Sequence, residues 1–452
     1  METATADLKP PVGGGAGELK GSKPSPSAGV DDNEASREEL LRKLRGLRDE
    51  NARLRQELKD FMSRDKRPPT GMKRLITALA MLVIYNVLYF VQDLYKRIIV
   101  LVLLLLVAKL IGLPFAPIQV PLRRRLQMIM LALTFAPLNM LECLLLYFAY
   151  FWYFWGNWLA ILPMIAYTAW IMADRQPSRG GFNWCKNFFR SLPVHRFVAE
   201  YYPAKLIKTA DLPPNQNYVF GYHPHGIISV GAQVNFGTNA TGFDRFFPGI
   251  DITLMTLRLT FKIPFFREWC MMHGLASCGS ASCDYILSSK KKSGKSILLV
   301  IGGAAESLDA RQDIMDLTLL NRKGFVRIAM RNGAHLVPII CFGENEVFTG
   351  IPNERGSIVR SVQNWLQKKT GVAPVLFVGR GIFNYAFGVL PHRRELTSVV
   401  GAPLECPHVP NIKRGDPLID EWHSKYLSSL KDLYENYKTK YAHKDAVEMR
   451  FF

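Results

Sequence analysis

Two histidines, His223 and His225, stand in the stretch NYVFGYHPHGIISVG at residues 217–231. Tyr218, Val219 and Phe220 read as a short buried strand that Gly221 and Pro224 break, before an apolar run resumes. A side chain at a strand end is held by the sheet and still reaches open solvent, as a general base must. Pro224 fixes its own φ and restricts His223, while Gly226 lets the backbone approach a ligand closely. The pair admits two other readings, a hydrogen-bonded structural histidine or half of a metal site. Against the metal, the chain has no HExxH or CxxC, and the other seven histidines are scattered without ligand spacing.

A second candidate is SILLVIGGAAES at residues 296–307, where an aliphatic strand runs into Gly302-Gly303 and Glu306 follows. The bland alternative is a solvated carboxylate favoured by a helix dipole. Strand-like runs at 218–220, 296–301, 336–342, 375–378 and 397–400 alternate with helical stretches such as 323–332, with Gly333 where a helix C-cap is expected. Such alternation indicates an α/β domain with a mixed or largely parallel sheet and a site at the C-terminal ends of its strands.

The net charge of +19 points to an anionic partner, and hydrophobic segments early in the chain argue against nucleic acid. Seven irregularly spaced cysteines read as reduced thiols on the cytosolic side. Residues 1–36 are rich in Gly, Pro, Ser and Ala and are expected to be a disordered tail rather than a signal peptide. Within 37–66, Leu40, Leu44, Leu47, Asn51, Leu54, Leu58 and Phe61 form a heptad seam, read either as a short homodimeric coiled coil or as a solvated amphipathic helix. Residues 72–114 hold additional hydrophobic segments, the first long enough to span and the second, broken by Lys109, re-entrant, interfacial or spanning. Runs 126–155 and 158–173 read as a membrane-embedded helical hairpin within 121–173, with aromatics crowded at its turn and basic residues at both outer ends. The positive-inside rule puts those ends, and the domain from 180 to 452, in the cytosol.

The HPHG block is similar to that of the neutral-lipid acyltransferase family that includes the second type of diacylglycerol acyltransferase, the monoacylglycerol acyltransferases and wax synthases. Similar blocks follow in order from about residue 121: Tyr201-Tyr202-Pro203, Phe247-Pro248-Gly249, Gly302 to Ser307, Asn321-Arg322-Lys323-Gly324-Phe325, Leu336-Val337-Pro338 and Phe342-Gly343-Glu344-Asn345-Glu346. The resemblance implies a membrane-anchored, glycerolipid-acyltransferase-like mixed sheet with flanking helices. It also implies acyl transfer from acyl-CoA, a cosubstrate and not a cofactor, to a diacylglycerol hydroxyl, with monoacylglycerol or a long-chain alcohol as the sister acceptor. A non-catalytic lipid-binding scaffold is the rival of another class.

On that reading a histidine of the pair, with His225 favoured and His223 shaping the turn, takes the acceptor proton; Glu306 orients the imidazole or the hydroxyl; and N–H groups near Gly226, Gly302 or Gly303 meet the oxyanion. Arg322, Lys323, Arg327 and Arg331 are the basic residues considered for the CoA phosphates, together with the lysines around 290–295. No basic residue flanks Glu306, Arg311 being five residues on, so a neutral acceptor fits this turn better than a phosphate monoester. One departure is that CGSASCD at 278–284 lacks an arginine that relatives carry there. The implied residence is the endoplasmic reticulum membrane, multi-pass, with lipid droplets open to a hairpin that can lie in a monolayer.

Overall fold

The computed structural model describes residues 120–135, 140–288, 294–312, 314–351, 353–354, 356–382, 385, 388–442 and 447–452, with isolated helical positions between 42 and 49 and between 99 and 106. The tail, the heptad seam and most of the 72–114 region lie outside the described residues. The chain divides into two units, Met1–Gln92 and Asp93–Phe452, and the sheet with both site turns belongs to the second.

Seven strands build the main sheet: β1 (Lys205–Lys208), β2 (Tyr218–His223), β3 (Asp251–Thr256), β4 (Ala276–Ser277), β5 (Lys295–Val300), β6 (His335–Phe342) and β7 (Thr397–Val400), in the order β1-β7-β6-β2-β5-β3-β4. The block from β6 to β4 is parallel throughout, and β7, with β1 beside it, runs the other way. The sheet is therefore mixed and largely parallel. Every residue of β2 is buried, as a central parallel strand covered on both faces requires. Pro338 survives inside β6 because its carbonyl faces β7 just past the end of that ladder, where it accepts from Gly401 N at 2.9 Å.

The period of two in β2 sorts its side chains between two cores. Tyr218, Phe220 and Tyr222 join one cluster, and Val219 joins the other together with Tyr426. Tyr426 lies on a 25-residue helix, Pro417–Tyr441, that begins with Asp416 capping Leu418 N and Pro417 in the first turn. Its apolar stripe of Ile419, Tyr426, Leu430, Leu433 and Tyr434 keeps helical spacing and is buried. Being on the same face as Val219, His223 is turned toward this helix.

Two expectations need correction. The strand at 375–378 is reduced to Phe377–Val378, which pairs with Thr349–Gly350 outside the main sheet, and β3, where Asp251, Thr253 and Thr256 dilute the apolar signal, takes an inner place instead. The apolar run 126–155 is also not one helix. It forms α1 (Leu122–Phe135) and α2 (Met140–Tyr153), bent by 65°, with Pro137 in the interval between them. After Gly156, α3 (Trp158–Ala173) starts at Asn157, whose side chain accepts from Ala160 N at 3.3 Å. Among the described residues no single helix is long and apolar enough to cross a membrane; α1 and α2 meet that test only as a bent pair.

Candidate active site

β2 and β5 are neighbours in parallel register, Tyr222 opposite Val300, so the turns that follow them leave the same edge side by side. Juxtaposition of the HPHG and GGAAES turns is thus a consequence of topology. His225 N donates to Glu306 Oε1 at 2.5 Å, and Thr318 N donates to Oε2 at 2.9 Å. Glu306 is 2 % exposed, which removes the solvated helix-start reading. It grips the backbone of His225 and leaves the imidazole to other partners. A methyl group on Gly302 would collide with the Glu306 carboxylate, which explains glycine there.

The His225 ring is held through Nδ1, 3.1 Å from Gly226 O and 2.8 Å from Ser307 Oγ. A carbonyl only accepts, so Nδ1 carries the proton and Nε2 presents its lone pair. Among the described residues Nε2 has no partner, and the ring lines an apolar cavity of about 350 Å³. Thr134 and Phe135 of α1, Met140 of α2, and Gly303, Ala304 and Ser307 beyond β5 line the same cavity. Burial lowers the His225 pKa, with the Gly226 carbonyl opposing, so the ring is neutral near pH 7.

His223 is placed differently. Its Nε2 meets Tyr426 OH at 2.9 Å, its Nδ1 is buried without a partner, and burial pushes its pKa down to about 3. It does not line the cavity. The two histidines therefore face different elements, which leaves no shared metal between them.

Sequence reasoning missed a second carboxylate that holds this loop. Glu344, in the FGENE block after β6, is 1 % exposed and accepts from Tyr222 OH at 2.7 Å, Val230 N at 2.7 Å and Gly231 N at 2.8 Å. Glu306 fixes the start of the 225–231 loop and Glu344 its end. Burial pushes each carboxyl up to about 7 against its hydrogen-bond donors. Gly226, at φ +58°, backs onto Glu344, and a Cβ there would lie 2.8 Å from its Cγ. Ser307 follows Glu306 in the GGAAES turn, and its hydroxyl is the ring's nearest side-chain partner.

Of the glycines proposed near the oxyanion, Gly303 lines the cavity, whereas Gly226 and Gly302 do not. Arg322, Lys323 and Arg327 do not line it; Lys323 pairs with Asp420 at 2.8 Å. Arg331 reaches back to Ser280 Oγ at 2.7 Å and Asp284 at 2.5 Å, so the 278–284 segment, which lacks an arginine of its own, receives a guanidinium from the helix Gly324–Asn332.

The diacylglycerol acyltransferase family model matches residues 150–451, from the end of α2 through the last strand. The chain belongs to the diacylglycerol acyltransferase family. Relatives in that family include diacylglycerol O-acyltransferase 2A of Umbelopsis ramanniana, 43% identical over 75% of this chain and 93% of that one. Diacylglycerol O-acyltransferase 2 of Dictyostelium discoideum is 41% identical over 74% and 98%. A 2-acylglycerol O-acyltransferase 1 of Bos taurus is 41% identical over 72% and 96%. The crystal structure of a 1-acyl-sn-glycerophosphate acyltransferase from Thermotoga maritima is similar at TM-score 0.29 and 10% identity, covering 64% of this chain and 96% of that one, too slight a likeness to bear on the fold.

Proposed function

We propose that this chain is an acyl-CoA:diacylglycerol O-acyltransferase that forms triacylglycerol. The observation that carries the chemistry is His225, with Nδ1 committed to a carbonyl and Nε2 open to an apolar cavity. Nε2 removes the proton from the acceptor hydroxyl as its oxygen attacks the thioester carbonyl. N–H groups at the Gly303-Ala304 turn, which lines the cavity, stand where the oxyanion develops. Collapse breaks the C–S bond, and the departing CoA thiolate takes the proton back from the imidazolium. No covalent enzyme intermediate and no cofactor enter this sequence. His223, Glu306 and Glu344 act by position.

The membrane part of the reading rests on α2 and α3, whose Leu145, Phe148, Trp152, Trp158 and Leu162 are all more than half exposed. An apolar surface of that extent needs a lipid environment. The proposed residence is the endoplasmic reticulum, with the catalytic part in the cytosol and lipid droplets as a second location. Monoacylglycerol is the second acceptor reading, favoured by the Bos taurus relative.

The test is transfer of labelled oleoyl-CoA in microsomes carrying the protein, offered diacylglycerol, monoacylglycerol or hexadecanol, beside H225A. Labelled triacylglycerol that vanishes in the variant supports the proposal. Product from monoacylglycerol alone transfers the reading to the sister acceptor, and no product from any acceptor by correctly inserted protein refutes it.

A further inference from the structure

A group of guanidinium side chains lies on the same edge of the sheet as His225. Because β7 runs against β6, its first residue, Thr397, is opposite Phe342, the last of β6, and Lys205 at the start of β1 is opposite Thr397. The segments leading into β1 and β7 therefore reach the edge from which the HPHG turn emerges, β7 two strand spacings or about 10 Å from β2 and β1 one spacing further. Tyr201 ends the helix leading to β1, and Arg393 precedes β7. The Arg393 guanidinium lies over the Tyr201 ring, 4.9 Å from its centroid, and donates to Gln127 Oε1 of α1. Arg380, stacked over Tyr385 at 4.6 Å, also acts on Tyr201, and the charges of Arg380 and Arg124 both oppose that of Arg393.

Arg393 and Arg380 are half-buried. Among the described residues neither they nor Arg124 has an ion pair, while neighbouring Glu200 is taken by Arg123 at 2.8 Å. Like charges gathered in a partly desolvated place repel one another and attract an anion. Guanidinium forks match phosphate oxygens in geometry as well as charge. The helices that carry the group also carry the cavity wall: α1 supplies Gln127 here and Thr134 there, about 10 Å along its axis. Helix Pro193–Tyr201 supplies Tyr201 here and His195 and Val198 there.

We propose that Arg124, Arg380 and Arg393 form a phosphate-binding site that holds the phosphates of acyl-CoA while its thioester lies at His225. The identity of that ligand rests on the acyltransferase reading; the other source of the same chemistry is a phospholipid headgroup. The site takes the place of Arg322, Lys323 and Arg327, which do not line the cavity.

The experiment uses full-length protein in phosphatidylcholine nanodiscs, wild type beside the double variant R380Q/R393Q. Three quantities are read: equilibrium binding of radiolabelled CoA, the KM and kcat for oleoyl-CoA, and co-flotation of detergent-solubilised protein with vesicles containing phosphatidic acid. Weaker CoA binding and a higher KM, each by about tenfold, with kcat and the diacylglycerol KM little changed, are expected for the loss of charge-assisted phosphate contacts. Unchanged CoA binding with loss of flotation keeps the site and assigns it to a headgroup. No change in either overturns the proposal. Arginine-dependent CoA binding by wild-type protein that makes no acylated product leaves the site standing and removes the acyltransferase reading alone. If the double variant fails to fold by size-exclusion chromatography, the exposed Arg124→Gln is scored in its place, and unchanged binding and flotation there overturn the proposal as well.

Discussion

His225 has one nitrogen committed and one free, and its chemistry depends on that division. Removing the ring in H225A should lower kcat by about 10²- to 10⁴-fold, the usual worth of a general base. Ser307→Ala should act more mildly, because Gly226 O still receives the Nδ1 proton; a fall of about tenfold in kcat with KM unchanged is expected, read from initial rates with saturating diacylglycerol. Since burial lowers the His225 pKa, the base stays unprotonated below the usual histidine range. The acid limb of kcat/KM should accordingly lie below pH 6.5, and a limb above 7 would show that another group is the base.

At the scale of elements, the loop from His225 to Gly231 is a strand-to-helix connection pinned at both ends by buried carboxylates borne on other strands' exits. Glu344→Ala would orphan Tyr222 OH, Val230 N and Gly231 N together, at about 1–3 kcal/mol for each buried donor. A markedly lower melting temperature with loss of activity is expected, whereas a surface glutamate would be neutral. Glu306→Gln keeps an acceptor for only one of its two N–H donors, so activity should drop while His223 and its tyrosine partner stay in place. The Tyr222 fluorescence environment and thermal unfolding would separate the two variants.

These connections also show why one part of the site was legible and another was not. A strand, a glycine break and an ionisable residue are local features, and the HPHG and GGAAES turns declare themselves by them. Which histidine reaches the cavity depends on strand register, and register on how β2 packs between two cores. Glu344 sits 113 positions from the Gly231 N–H it accepts, a separation no local pattern encodes. Strand β3 is hard to read because threonines dilute its apolar run, and the 126–155 run reads as one because its apolar composition continues on both sides of the interval between α1 and α2.

For the whole molecule, burial sets the response to pH. His195, His223, His225, His273, His392 and His423 all have lowered pKa values, His223 to about 3 and His273 to about 4. Below pH 6.5 the unfolded chain binds protons that these folded rings refuse, so stability falls as pH falls toward 4. Glu306 and Glu344, raised to about 7, work with the opposite sign between pH 4.5 and 7, because there the folded state holds protons the unfolded state has released. His223 and His273 act over the whole interval from 6.5 to 4, whereas the carboxyls act only above 4.5. Melting temperatures measured from pH 6.5 to 4 should decline, and a rise over that interval would contradict the assignment of buried neutral histidines.

The cavity that receives His225 is walled partly by Thr134, Phe135 and Met140, residues of the bent apolar helices. With those helices in the proposed membrane, a neutral lipid entering through that wall comes from a two-dimensional phase and not from water. The velocity should then follow the mole fraction of diacylglycerol in the bilayer: diluting it with inert phospholipid slows the enzyme, while adding more vesicles of the same composition does not.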